Sequence, residues 1–258
     1  MMDAANHVLV QDADGIRTLT LNRAAKANAL NAGMLAALRR AIDGAPDSGM
    51  GLIVLRSASP SLFCAGGDIE EFVQSPELLE AQGVGLRELM GVMASCPCPI
   101  LAVARGKAAG AGVILLAMTD IVIGASDLTL ACPEIAFNMY PVMVQAALQT
   151  KVSAARARQL CLSGQLLKAE PARELGLVTD VLAADGFDQL AADRVAFYVA
   201  RREALAIARK ARLQLEPPDL AIGRIAALEP LMHENFARPG VRETIQAYLA
   251  NMRARRAN

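Results

Sequence analysis

Apolar and polar residues alternate over positions 7–11 and again over 16–21, on either side of the turn-forming DADG at 12–15. This spacing predicts a β-hairpin. From Asn31 the period changes: AGMLAALRRAI lays its apolar residues along one helix face, with Asn31 as the N-cap. Short apolar runs at 51–56 (GLIVLR), 100–104 (ILAVA), 120–124 (DIVIG) and 128–131 predict further strands, the first two buried. Helical patterns occupy 77–94, closed by Pro97 and Pro99, and 113–118. Beyond Pro141 strands nearly vanish. Helices are predicted over 142–149, 154–163 and 169–175, a last strand over 178–181, and one long helix over 187–213. After the break at Pro217 and Pro218, two more helices cover 220–236 and 240–255. No repeat of fixed period stands out. A strand-rich core thus precedes a tail of amphipathic helices, which is expected to make few contacts with its own core and to pack on a neighbouring subunit.

Composition narrows the class. A chain of 258 residues, 54% hydrophobic and 20% charged, can bury one large core. With six Phe, three Tyr and no Trp, that core is built mainly from Ala, Leu, Ile and Val. Lys plus Arg and Asp plus Glu both number 26, so the formal charge is zero and neither nucleic acid nor an anionic membrane is an expected partner. No uncharged apolar stretch reaches the ~18 residues of a spanning helix, and the N-terminus lacks the basic-then-apolar pattern of a signal peptide. The five cysteines Cys64, Cys96, Cys98, Cys132 and Cys161 are odd in number and irregular in spacing, which suits reduced, buried thiols in a cytoplasm.

Several chemistries are then excluded. There is no GxSxG elbow, and the two histidines, His7 and His233, lie in terminal elements, so a Ser–His–acid triad is not expected. Cys96-Pro-Cys98 has no second Cys or His pair nearby and reads as two buried thiols, so no metal site is expected. A phosphate loop of the GxxxxGK[ST] type is absent. The basic run Arg201, Arg202, Arg209, Lys210 and Arg212 reads as a solvated helix face.

Three segments survive this subtraction. FCAGGD at 63–68 follows the predicted strand 51–56 and precedes a short helix at 69–73; GKAAGAG at 106–112 follows the strand 100–104 and leads into a helix. Small residues let a backbone approach a ligand closely, and the N–H groups of a following helix face outward toward negative charge. Two such loops can aim backbone donors at one oxygen, the physical content of an oxyanion hole. Each loop alone reads as a tight βα turn. The third segment, LACPEI at 130–135, sets Glu134 among apolar neighbours, where desolvation raises a carboxyl pKa toward neutrality. Alone, Glu134 reads as a surface carboxylate at a helix start.

In this order and spacing the segments resemble the crotonase superfamily, the enoyl-CoA hydratase/isomerase family. The resemblance starts at LNRAAKANALN (21–31), where Ala24 replaces a usual Pro. It runs through FCAGGDI (63–69), GKAAGAG with LLAMTDIVIGA (106–125), PEI (133–135) and AREL at 172–175, into the helix 240–253. It implies an α/β fold, a spiral of ββα units over 1–200 that carries the coenzyme A thioester site. The helical region 201–258 would serve oligomerisation, as a homotrimer or a dimer of trimers. It also implies an acyl-CoA thioester substrate and no separate cofactor, coenzyme A entering as part of the substrate.

By the same resemblance Lys26, Ala27 and Leu30 would border the CoA part, with Ala65, Asp68 and Ile69 near its adenine and pantetheine. The N–H groups of Gly67 and Ala111 would hold the thioester oxygen, and Glu134 would transfer protons. Hydratases of the family use a second glutamate, which would fall at position 114; this chain has Ile114. A hydrocarbon cannot activate water, so the expected chemistry is the single-carboxylate shift of a double bond from the 3 to the 2 position. Enoyl-CoA hydration and non-catalytic acyl-CoA binding are the alternatives. Glu70 and Glu71 stand where the family often carries Lys, with Lys26, Lys107 or the 201–212 stretch as substitutes. Asn138 and Tyr140, just after Glu134, read as loop residues rather than pocket residues.

Overall fold

The computed structural model describes residues 7–257; residues 1–6, on which the expectation of no leader rests, and Asn258 lie outside it. The predicted hairpin is β1 (Val8–Ala13) and β2 (Ile16–Leu21), paired antiparallel, with Asp14 and Gly15 supplying the positive φ of the turn. Asn31 caps α1 (Ala32–Asp43), accepting the Met34 N–H at 2.9 Å, and Met34, Leu35, Leu38, Ala41 and Ile42 form its buried stripe.

From there the chain repeats one unit three times. β3 (Leu52–Ser57), β5 (Ile100–Ala104) and β7 (Ile121–Ala125) lie parallel in a six-stranded sheet of order β1-β2-β3-β5-β7-β10, closed by β10 (Asp180–Leu182). After each comes a three-residue strand in a second sheet: β4 (Leu62–Cys64), β6 (Lys107–Ala109) and β8 (Thr129–Ala131), parallel neighbours in that order. Each then enters a helix: α2 (Ile69–Gln74) followed by α3 (Pro76–Ser95), α4 (Ala111–Met118), and the 3-10 turn Pro133–Phe137. The sequence pattern missed β4 and β6, because strands of three small or mixed residues carry too little alternation to be seen beside a glycine-rich loop. β9 (Leu167–Lys168), antiparallel to β8, was missed for the same reason. α4 is buried on all sides and sits inside the main core, joining it to α5 (Val142–Leu148).

The tail brings three corrections. The long helix expected over 187–213 is two, α8 (Phe187–Val199) and α9 (Arg202–Leu215), and it follows α6 (Ala154–Ser163) and α7 (Ala169–Glu174). The chain bends because the two halves serve different faces. Phe187 and Ala191 pack beneath the large sheet, whereas Arg209 turns toward the end of α3. The basic run is a solvated face only in part: Arg201, Arg202 and Lys210 are exposed, whereas Arg209 is 2% exposed, donates to the carbonyls of Met93, Ala94 and Cys96, and with Arg212 holds Asp120 at 2.9 and 2.7 Å. Nor does the tail lack contacts with its own core. α10 (Pro218–Ala237) packs on α3 and α5 through Ile225 and Met232, and α11 (Val241–Ala257) packs Val241, Ile245 and Leu249 against Phe137 and Met139. No helix among the described residues is long and apolar enough to cross a membrane.

Candidate active site

The three segments singled out in the sequence leave the C-terminal ends of β4, β6 and β8, which are adjacent strands of the small sheet. Neighbouring strands lie ~4.8 Å apart, so segments distant in sequence are delivered side by side. Gly66 has φ +112°, and a Cβ there would stand 3.0 Å from Ala109 O and 3.6 Å from Ala111 N. Gly110 has φ +49°, and a Cβ on it would stand 2.8 Å from Glu134 Oε1 and 3.7 Å from Gly66 Cα. Glycine at both positions therefore lets the two loops and the carboxylate meet. The Gly110 N–H donates to Ala131 O at 3.0 Å, which ties the second loop to the strand that leads to Glu134.

The two backbone donors are left open by their surroundings. Leu30 N–H donates to Gly66 O at 2.7 Å and Leu30 O accepts the Asp68 N–H at 2.9 Å, so the segment before α1 braces the first loop. Gly67 N–H, between those bonds, faces the other side and has no backbone acceptor among the described residues. Ala111 opens α4, where a first-turn N–H has no intrahelical partner and carries the positive end of the helix dipole.

Lys26, Ala27, Ala65, Gly67, Asp68, Ile69, Ala111 and Glu134 all line one cavity of about 730 Å³, together with Ile114, Lys107 and Tyr140. Leu30 differs: its side chain is wholly buried and does not line this cavity but the smaller hollow beside it, and its backbone braces the first loop. Asp68 is spent on structure, accepting Arg23 at 2.6 Å and capping α2 through the Glu70 N–H at 3.1 Å. Lys26 reaches Glu70 at 2.5 Å, so the acid that stands where the family often has lysine is bonded to the neighbouring cation. No residue of α9 lines the cavity, which removes the 201–212 stretch as a source of positive charge there. Asn138 is exposed, with φ +58° closing the turn after Glu134, and lies outside the cavity, whereas Tyr140 belongs to its wall and bonds Gln145 through its hydroxyl.

Glu134 is the acid of this wall whose environment departs most from water. Its Oε2 is buried without a hydrogen-bond partner, and burial pushes its pKa up to about 7, against the milder opposing pull of its own backbone N–H. Such a carboxyl exchanges a proton near neutral pH. Ile114 is 1% exposed and presents only hydrocarbon. The other acids on the wall, Asp68 and Glu70, are bonded to Arg23 and Lys26. Sequence reasoning missed the roof: Met232, Asn235 and Phe236 of α10 and Thr244, Ala247 and Tyr248 of α11. An apolar i, i+4 pair such as Met232–Phe236 looks like any core stripe, so no signal in the pattern marked it. Each of the five cysteines is free and buried, as their spacing suggested, and Cys64 is pushed up to about 12 by desolvation.

A ββα spiral whose two glycine-rich loops and Glu134 meet at one cavity is the architecture of an α/β enzyme of the crotonase fold. The family described as enoyl-CoA hydratase/isomerase matches residues 11–255, and the chain belongs to that family. A probable enoyl-CoA hydratase, echA8, of Mycobacterium leprae is 32% identical over 182 residues, 69% of each chain. Human enoyl-CoA delta isomerase 2 is 29% identical over 188 residues, 70% of this chain and 48% of that protein. Among solved structures, an enoyl-CoA hydratase of Mycobacterium smegmatis superposes with a TM-score of 0.73 at 29% identity, covering 95% of this chain and 96% of that one. An enoyl-CoA hydratase/isomerase of Mycobacterium paratuberculosis reaches 0.80 at 23% identity over 94% and 98%, a likeness of fold.

Proposed function

We propose that this enzyme moves the double bond of an acyl-CoA thioester from the 3 to the 2 position, with Glu134 as its single proton carrier. The observation that carries the reading is the buried, unpartnered Oε2 of Glu134 in the same cavity as the open Gly67 and Ala111 donors, with Ile114 where a second carboxylate would be needed to hold water. The thioester oxygen accepts from Gly67 and Ala111; Glu134 takes a proton from C2, charge moves onto that oxygen as a dienolate, and the protonated Glu134 delivers the proton to C4. Each oxyanion donor is worth roughly 100- to 1000-fold in rate. Lys26 and Lys107 stand on the cavity wall beside the loop for the CoA portion.

Relatives named as hydratases support a second reading, addition of water to a 2-enoyl-CoA. It requires two acids flanking one water, and Asp68 and Glu70 are engaged elsewhere. Supplying 2-enoyl-, 3-enoyl- and 3-hydroxyacyl-CoAs while following absorbance and product mass separates the two. Conversion of the 3-enoyl ester without water addition is expected, and hydration at a comparable rate would overturn the proposal. Exposed Ile207, Leu215 and Leu220 on α9 and α10 support the homotrimer or dimer of trimers implied by the resemblance, and five free buried thiols suit a reducing cytoplasm.

A further inference from the structure

Beside Gly67 and Ala111 the main cavity borders a smaller hollow of about 40 Å³ between α3 and α10. Gly67, Ala111, Phe72, Leu86, Met232 and Phe236 line both spaces, so the hollow adjoins the two loops and shares this wall with the main cavity. Among the described residues no charged side chain lines it. Met232 reaches across to α3 at Gly83: a Cβ on Gly83 would stand 2.4 Å from Met232 Cε, so the methionine end fills a notch that only glycine leaves. Phe236 meets Phe72 edge to face, ring centroids 5.0 Å apart. α10 is pinned in this position. The Asn235 side chain bonds the N–H and carbonyl of Tyr140 at 3.2 and 2.7 Å, and Glu229 accepts Arg87 at 2.7 Å.

We propose that Met232 and Phe236 are the residues that set acyl-chain length, and that the substrate's acyl group is uncharged and short. The inference rests on the enoyl-CoA reading above and goes beyond it by naming the end of the acyl site. The acyl chain leaves the thioester at Gly67 and Ala111, passes Glu134 in the main cavity with C2 to C4, and its remaining carbons run into the hollow toward α10. At ~10–15 Å³ for each water-sized group, 40 Å³ admits about three such groups before Met232 and Phe236 stop the chain. A terminal carboxylate would enter this space without a cation to meet it, at a cost of several kcal/mol. Methionine is unbranched and soft, so its end can adjust, while the helix that carries it is held by Asn235 and Glu229.

The test is kcat/KM for straight-chain 3-enoyl-CoAs of increasing length, with the full-length wild type, Met232→Ala and Phe236→Leu. The wild type should lose efficiency steeply beyond about six to eight carbons, since one methylene in an apolar pocket discriminates ~10-fold or more. Met232→Ala joins the hollow to the notch and should raise the ten-carbon to six-carbon ratio at least ~10-fold. A wild type that handles twelve carbons as well as six, or a folded Met232→Ala with a ratio within about twofold of wild type, would overturn the inference. Should Met232→Ala fail to fold by circular dichroism, Phe236→Leu carries the same comparison. A wild type that converts no 3-enoyl-CoA would sink the isomerase reading alone. The ratio is then read from the affinities of saturated six- and ten-carbon acyl-CoAs by calorimetry, where the same shift supports the length stop and its absence removes it.

Discussion

Asp68 and Glu134 are both carboxylates on the wall of one cavity, and the fold holds them in opposite ways. Asp68 is 5% exposed and fully matched, with Arg23 at 2.6 Å on one oxygen and the Glu70 N–H on the other. Glu134 has an oxygen buried with nothing to meet it. An ion out of water costs several kcal/mol unless a partner offsets it. Asp68 is therefore bound into the loop it shapes, whereas burial without a partner on Oε2 brings the Glu134 carboxyl to about 7. Burial alone does not separate a structural acid from a reactive one; the partner does.

The largest effect should come from Glu134→Gln, which keeps shape and removes proton transfer. Turnover of a 3-enoyl-CoA should fall ~10²- to 10⁴-fold, with acyl-CoA affinity by calorimetry changed only a few-fold. Turnover that survives would make Glu134 another Asp68. The mirror experiment is Arg23→Leu, which strands Asp68 as a buried unpaired ion and should cost about 3–5 kcal/mol in urea unfolding. Asp68→Asn in the same chain should recover part of that loss, and a cost under about 1 kcal/mol would dissolve the contrast.

A pH series sharpens it further. The Glu134 carboxyl titrates at about 7 when folded against 4.5 in the open chain. Below 4.5 it is protonated in both states and its burial costs nothing electrostatically. As pH rises from 4.5 through 7 the unfolded chain ionises first, so stability falls by roughly 3 kcal/mol and is level above. Glu134→Gln should flatten that slope in denaturation curves taken across the interval. Because the base must be ionised, kcat/KM should rise ~10-fold per pH unit until about 7 and then level off. Least affected should be stability in Lys26→Ala, whose 2.5 Å pair with Glu70 is partly exposed on both sides and contributes no more than about 1 kcal/mol.

Much of the fold was legible because it is written locally. The alternation before and after 12–15, the Asn31 cap and the apolar run of α4 each fix their own element within a few residues. The strands β4 and β6 were not, since their three residues run straight into glycine-rich loops that mask them. The long helix over 187–213 failed because its pattern is continuous while its contacts are not: Phe187 and Arg209 belong to different faces of the core. The reading of the basic run as solvated failed at Arg209, whose burial depends on Asp120 and on the carbonyls at the end of α3.

For the site, residue types and their order along the chain were set by the sequence: small residues at 66–67 and 110–112, a lone glutamate after Pro133, and a hydrocarbon at Ile114. These decide that the chain offers small-residue loops and a glutamate in that order, with a hydrocarbon at position 114. Only the tertiary structure decided that the three segments meet, because they leave adjacent strands of a sheet the pattern does not reveal. It alone separated Glu134 from Asp68, since whether a carboxylate is partnered depends on groups elsewhere in the chain, such as Arg23. And it alone placed α10 as the roof, because an amphipathic helix carries its apolar face in its sequence while the surface that receives that face is set by the rest of the fold.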